Sequence, residues 1–198
     1  MRFLALGDSY TIGEGVDSVG RWPVQLAAAL RAKKLNIADP EIIARTGWTT
    51  DELASAVAVA APHGPYSLVT LLIGVNNQYR GRDAGQYRAE LKSLLAQAVG
   101  FAGGKASRVV MLSIPDWGVT PFATGRDREK IGSEIDLFNA IGREEALAAG
   151  AHWVDVTAAS RETHTGWVGS KDGLHPTAAQ YARWAALSMD AASSALNN

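Results

Sequence analysis

Five short apolar runs, each followed by a longer stretch of helical character, set the tightest limit on how this chain folds. The runs fall at residues 2–7, 41–45, 67–73, 108–114 and 152–156. Their Val, Ile and Leu are nearly continuous rather than alternating with polar residues, the pattern of parallel strands covered on both faces. Helical stretches follow at 22–35, 50–60, 83–99, 127–149 and 176–196. The second opens on Thr49-Thr50-Asp51-Glu52, which supplies capping oxygens and early negative charge. Pro176 is read as the first helical residue of the last, where its missing N–H would be unpaired in any case. This alternation predicts a three-layer α/β/α fold with right-handed crossovers and a five-stranded parallel sheet, for which five strands suggest the order 2-1-3-4-5 although sequence alone does not fix it.

That strand order is flavodoxin-like, and ligands in such sheets bind beyond the carboxyl ends of the strands. No internal repeat, low-complexity tract or Pro/Ser-rich linker divides the sequence, so residues 1–198 are read as one domain. With 47% apolar and 20% charged residues, the composition is that of a soluble globular protein. A net charge of −1, with both signs mixed along the chain, argues against a nucleic-acid partner or an anionic membrane surface. The absence of cysteine removes disulfides, thiolate nucleophiles and thiolate metal sites. No apolar run is long enough to span a bilayer, and Met1-Arg2 leads straight into the first strand. The expected location is therefore the cytoplasm. Oligomeric state is not legible in the sequence.

The residues at the strand ends form a coherent set. Ser9 follows the first run, Gly47 the second, and Gly74-Val75-Asn76 the third; Asp172 and His175 lie beyond the fifth. A serine hydroxyl is a poor nucleophile until a base takes its proton, and imidazole does so near neutral pH. The imidazole needs a partner on its other nitrogen to hold its tautomer, and Asp172, three residues before His175, can meet it across a local turn. A developing oxyanion needs fixed donors. The backbone N–H groups of Ser9 and Gly47 and the side-chain amide of Asn76 would supply three. The expected catalytic set is Ser9, Asp172 and His175, with an oxyanion hole of Ser9, Gly47 and Asn76.

These motifs resemble the SGNH, or GDSL, hydrolase family, whose Ser, Gly, Asn and His sit in separate blocks. The blocks here are Gly7-Asp8-Ser9-Tyr10, the glycine of Arg45-Thr46-Gly47-Trp48, Gly74-Val75-Asn76-Asn77, and Asp172-Gly173-Leu174-His175-Pro176. The resemblance spans nearly the whole chain. It implies a flavodoxin-like domain and metal-free ester hydrolysis without a cofactor, with the roles just assigned. Two positions depart from the family pattern: Tyr10 stands where leucine is usual, and Asn77 where aspartate is usual. The first bears on the floor of the site. The second removes a carboxylate that braces neighbouring loops.

The expected partner is a small-molecule ester with a short or water-soluble acyl group. A carbohydrate O-acetyl esterase, a lysophospholipase or a thioesterase of the same family is the alternative. Tyr10, Trp48, Tyr79, Trp117, Phe122 and Trp167 fall in or beside the rim loops, 76–82 and 115–126 among them, and are read as the lining of an acyl or alcohol pocket. Arg80 and Arg82, in the third loop, would favour an anionic substrate, although exposed arginines are usually just solvated. Asp8 is read as a backbone hydrogen-bonder at the first turn. His63, His152 and His164 lack metal-ligand spacing. The non-enzymatic alternative is a flavodoxin-like ligand-binding module using the glycine-rich stretch 7–15. Against it, Glu14 stands where a phosphate-binding loop needs lysine.

Overall fold

The computed structural model describes residues 1–162 and 172–197. Its sheet contains β1 (Phe3–Gly7), β2 (Glu41–Ala44), β3 (Leu68–Leu72), β4 (Val109–Leu112) and β5 (His152–Val154). All pairings are parallel, in the order β2-β1-β3-β4-β5. The expected fold class and strand order are both found. β1, β3 and β4 are buried along their whole length, which is why their apolar residues run without alternation.

The helices are α1 (Ser9–Ile12), α2 (Trp22–Ala32), α3 (Thr50–Ala60), α4 (Val75–Tyr79), α5 (Ala84–Phe101), α6 (Arg128–Ala148), α7 (Thr157–Arg161), α8 (Ala178–Leu187) and α9 (Met189–Leu196). α2 packs with α8 and α9, while α5 packs with α3 and α6. These two groups supply the outer layers. α3 starts where the sequence indicates, because the Glu52 carboxylate accepts the Thr49 backbone N–H at 2.9 Å and satisfies one of the donors a helix start leaves open.

Three expectations need correction. Pro176 lies outside the last helix: Thr177 caps it, its hydroxyl accepting the Gln180 N–H at 3.2 Å, and Ala178 is the first helical residue. That helical stretch is also divided, at Ser188, whose hydroxyl donates to the Trp184 carbonyl at 2.9 Å. The rim loop at 76–82 begins as the short helix α4. His164 and Trp167 lie outside the described residues.

Candidate active site

The site is built from three adjacent strand ends. Gly7, at the end of β1, pairs with Ala44 of β2 on one side and Leu72 of β3 on the other. The segments leaving these strands therefore emerge side by side, with Ser9 in the middle, Gly47 beyond β2 and Asn76 beyond β3. Gly7 is required by packing: a Cβ there would collide with Thr11 Oγ1 and the Leu72 carbonyl. Ser9 is the first residue of α1, where a backbone N–H has no acceptor within the helix. The Asp8 side chain caps that turn by accepting the Tyr10 N–H at 3.0 Å.

Asp8 is fully buried, and its Oδ2 has no hydrogen-bond partner. Burial pushes its carboxyl up from 3.8 to about 7, against the opposing effect of the Tyr10 N–H. Burial likewise holds the Tyr10 hydroxyl protonated, well above its ordinary range, with the Asp8 charge adding to the effect.

Gly47 has φ of +86°, a left-handed conformation that a side chain resists. Its carbonyl accepts Arg80 Nη2 at 2.6 Å. Asn76, the second residue of α4, donates one hydrogen from Nδ2 to the Trp48 carbonyl at 2.9 Å, which fixes the amide while leaving its second hydrogen to donate elsewhere. Gly74 caps α4 at φ of +130°, and a Cβ on it would meet the Tyr87 ring at 2.8 Å. The neighbouring Asn77 is fully buried and binds Thr50, so an amide braces α3 where a carboxylate was the family expectation.

Asp172 and His175 meet within one turn. The Asp172 Oδ2 lies 2.6 Å from His175 Nδ1, and its Oδ1 accepts the backbone N–H of Leu174 at 2.9 Å and of His175 at 3.2 Å. The His175 side chain is 6% exposed and that of Asp172 is 44% exposed, so solvent reaches the acid more readily than the imidazole. The His175 ring packs edge-on against Tyr10 with centroids 5.7 Å apart, which brings it beside the residue following Ser9. The Gly173 carbonyl accepts the Phe122 N–H at 3.0 Å and ties this turn to the loop after β4.

Ser9, Tyr10, Asn76 and Leu174 face a pocket of about 130 Å³, walled by Val75, Tyr79, Trp117 and Phe122. Tyr10, Tyr79 and Trp117, expected as substrate contacts, line this pocket. Trp48 does not. It faces a separate groove beside β2 and α3, and only its backbone carbonyl reaches the site. Val75 and Leu174 were missed because single aliphatic residues in turns give no periodic signal. The anionic-substrate role of Arg80 and Arg82 is also not supported, since they pair with Glu52 and Asp51.

The sequence pattern of the GDSL-like lipase/acylhydrolase family matches residues 5–183. The chain belongs to that family. No curated protein matches this GDSL-like chain in sequence. Among solved structures, its fold is similar to that of TesA, with a TM-score of 0.75 and 19% identity over 96% of this chain and 97% of the other. It is also similar to the psychrotrophic esterase EstA from Pseudoalteromonas sp., at TM-score 0.75 and 15% identity over 100% and 99%. A third similar structure is that of Axe2, an acetyl xylan esterase from Geobacillus stearothermophilus, at TM-score 0.73 and 19% identity over 96% and 94%. Among the described residues of the GDSL-like chain, no helix is long and apolar enough to cross a membrane. No group of three or more His, Asp or Glu suited to a metal ion occurs among them either.

Proposed function

We propose that the protein is a serine hydrolase of short-acyl carboxylic esters, working through Ser9, His175 and Asp172. The observation that carries this reading is the side-by-side emergence of Gly47, Ser9 and Asn76 from three paired strands, with the Asp172–His175 pair packed against Tyr10. In this reading the Asp172 carboxylate accepts the Nδ1–H of His175 and leaves Nε2 unprotonated to act as the base. His175 takes the Ser9 proton as Oγ attacks the ester carbonyl. The tetrahedral oxyanion accepts hydrogen bonds from the N–H groups of Ser9 and Gly47 and from the free hydrogen of the Asn76 amide. His175 then protonates the departing alcohol, and water repeats the cycle on the acyl-enzyme.

The pocket beside Ser9 supports a short acyl group. At about 130 Å³, it is well below the roughly 300–1,000 Å³ of sites that enclose drug-sized ligands. Its walls are apolar and aromatic, which suits a hydrocarbon acyl chain. A second reading, an acetyl ester carried on a sugar, is favoured by the half-exposed rings of Tyr79 and Phe122 at the rim, which offer faces for a carbohydrate. The acetyl xylan esterase among the similar structures is in keeping with it.

The test is hydrolysis of p-nitrophenyl acetate, butyrate and octanoate, and of acetylated xylo-oligosaccharides, by the parent protein and Ser9→Ala. The expected result is turnover of the short esters by the parent and a loss of about 10³-fold or more in the variant. Equal rates would overturn the serine mechanism. Faster release of acetate from the sugar than from the aryl ester would select the second reading.

A further inference from the structure

We propose that Arg126 is a positioning residue that limits acyl length, by pinning Tyr79, Trp117 and Phe122 into the wall that ends the pocket beside Ser9. The inference rests on the esterase reading above. The three rings form a packed set, with centroids 5.4 Å apart for Tyr79 and Trp117, 5.9 Å for Trp117 and Phe122, and 6.1 Å for Tyr79 and Phe122. On one side they face Ser9 and Asn76. On the other, Tyr79 and Trp117 face a second groove of about 290 Å³, to which Arg126, Lys130, Ile131 and Glu134 also contribute. The partition between the two spaces is thus made of aromatic side chains rather than backbone.

Arg126 lies over all three rings at once. Its Cζ is 5.3 Å from the centroid of Tyr79, 5.4 Å from that of Trp117 and 5.1 Å from that of Phe122, within the range in which a guanidinium is attracted to an aromatic face. Its Nη2 also donates to the Tyr79 hydroxyl at 3.2 Å. The rings differ in how else they are held. Trp117 is buried and donates its indole N–H to Gln78 Oε1 at 2.8 Å, so it is fixed without Arg126. Tyr79 is 45% exposed and Phe122 is 36% exposed, so their outer faces are free to swing. Arg126 is the group that gathers these two against Trp117. With the pin removed, Tyr79 can turn outward and the pocket can open toward the second groove, whose buried Ile131 and Trp117 would receive a longer chain.

The test compares kcat and KM for p-nitrophenyl acetate, butyrate, octanoate and dodecanoate in the parent, Arg126→Met, Arg126→Lys and Ser9→Ala. Methionine keeps an unbranched packing stem and loses the charge and the hydrogen bond to Tyr79, whereas lysine keeps a cation over the rings. In Arg126→Met the octanoate-to-acetate ratio of kcat/KM should rise about tenfold or more, through a lower KM for the longer ester, given what single methylenes contribute in apolar pockets. Arg126→Lys should return most of the way to the parent ratio. A purely structural role for Arg126 would lower all esters together and leave the ratio unchanged. An unchanged ratio in Arg126→Met, with Ser9→Ala inactive, overturns this inference and leaves the esterase reading standing. Full activity in Ser9→Ala overturns both.

Discussion

Asn77 and Thr50 are joined by two hydrogen bonds, one in each direction. The Thr50 backbone N–H donates to Asn77 Oδ1 at 3.1 Å, and Asn77 Nδ2 donates to Thr50 Oγ1 at 2.6 Å. The single proton of the Thr50 hydroxyl goes on to Glu90 Oε2. An amide at position 77 is therefore matched to a carboxylate at position 90: only a donor can serve Thr50 Oγ1 once its proton is committed. Asn77→Asp should lower stability by about 1–3 kcal/mol near neutral pH, because it removes that donor and places a second acceptor on Thr50. Glu90→Gln should recover most of the loss when combined with it. Denaturant melts of the two single variants and the double variant measure the coupling, and additive effects would refute the match.

The Asp172–His175 contact has one side in solvent, which sets an expectation for magnitude. Asp172→Asn keeps an Oδ1 acceptor for the Leu174 and His175 amides but loses the charge that holds the imidazole tautomer. The kcat for p-nitrophenyl acetate should fall about 10²–10³-fold, at the lower end for such acids because water has access to this one, with KM changed little. A fall of less than about threefold would remove Asp172 from the machinery.

Asp8 makes stability depend on pH. Its carboxyl sits at about 7 in the folded protein against 3.8 in the unfolded chain. Between these values the unfolded chain has released a proton that the folded protein still holds, so this group's contribution to stability declines as pH rises through that window. The difference of roughly three units corresponds to about 4 kcal/mol at most. Asp8→Asn lacks the titration. Relative to the parent, it should therefore be more stable at pH 8 than at pH 4, by up to that amount. Urea melts at the two pH values give the double difference, and a value near zero would show that Asp8 ionises at an ordinary carboxylate pH.

Gly47→Ala separates strain from steric exclusion. A Cβ at Gly47 has room, its nearest neighbour being Arg80 Nη2 at 3.7 Å, but φ of +86° is costly for alanine. The backbone should relax and turn its N–H away, lowering kcat about 10²-fold while costing only about 1–2 kcal/mol in stability. Thermal melts alongside acetate kinetics check both halves, and unchanged kcat would take Gly47 out of the oxyanion hole.

The strands and the start of α3 were legible because each rests on a local signal: continuous burial for the strands, and the Thr49–Glu52 cap for α3. The strand order rests instead on pairings between distant segments that no local signal fixes. Ser9, Gly47, Asn76, Asp172 and His175, the proposed site, could be grouped from sequence because a parallel sheet of this kind carries its strand ends to one rim. The short helices α1 and α4 were not legible, since four or five residues do not show a helical period. Trp48 was misplaced because the chain turns at Gly47 and sends its neighbour's side chain toward α3. The gathering of three rings by Arg126 joins residues up to 47 positions apart, from Tyr79 to Arg126, and no window of sequence displays it.

Gly47 hangs from β2, an edge strand whose residues are exposed or half-exposed while those of β1, β3 and β4 are buried. Amide exchange is fastest where a sheet frays, and β2 is where this one should fray first. A local opening there would carry off one wall of the proposed oxyanion hole while the four remaining strands stay zipped. Gentle warming or dilute urea should therefore silence turnover before circular dichroism records any loss of fold, and cooling should restore it at once, because nothing has to refold except one border of the sheet.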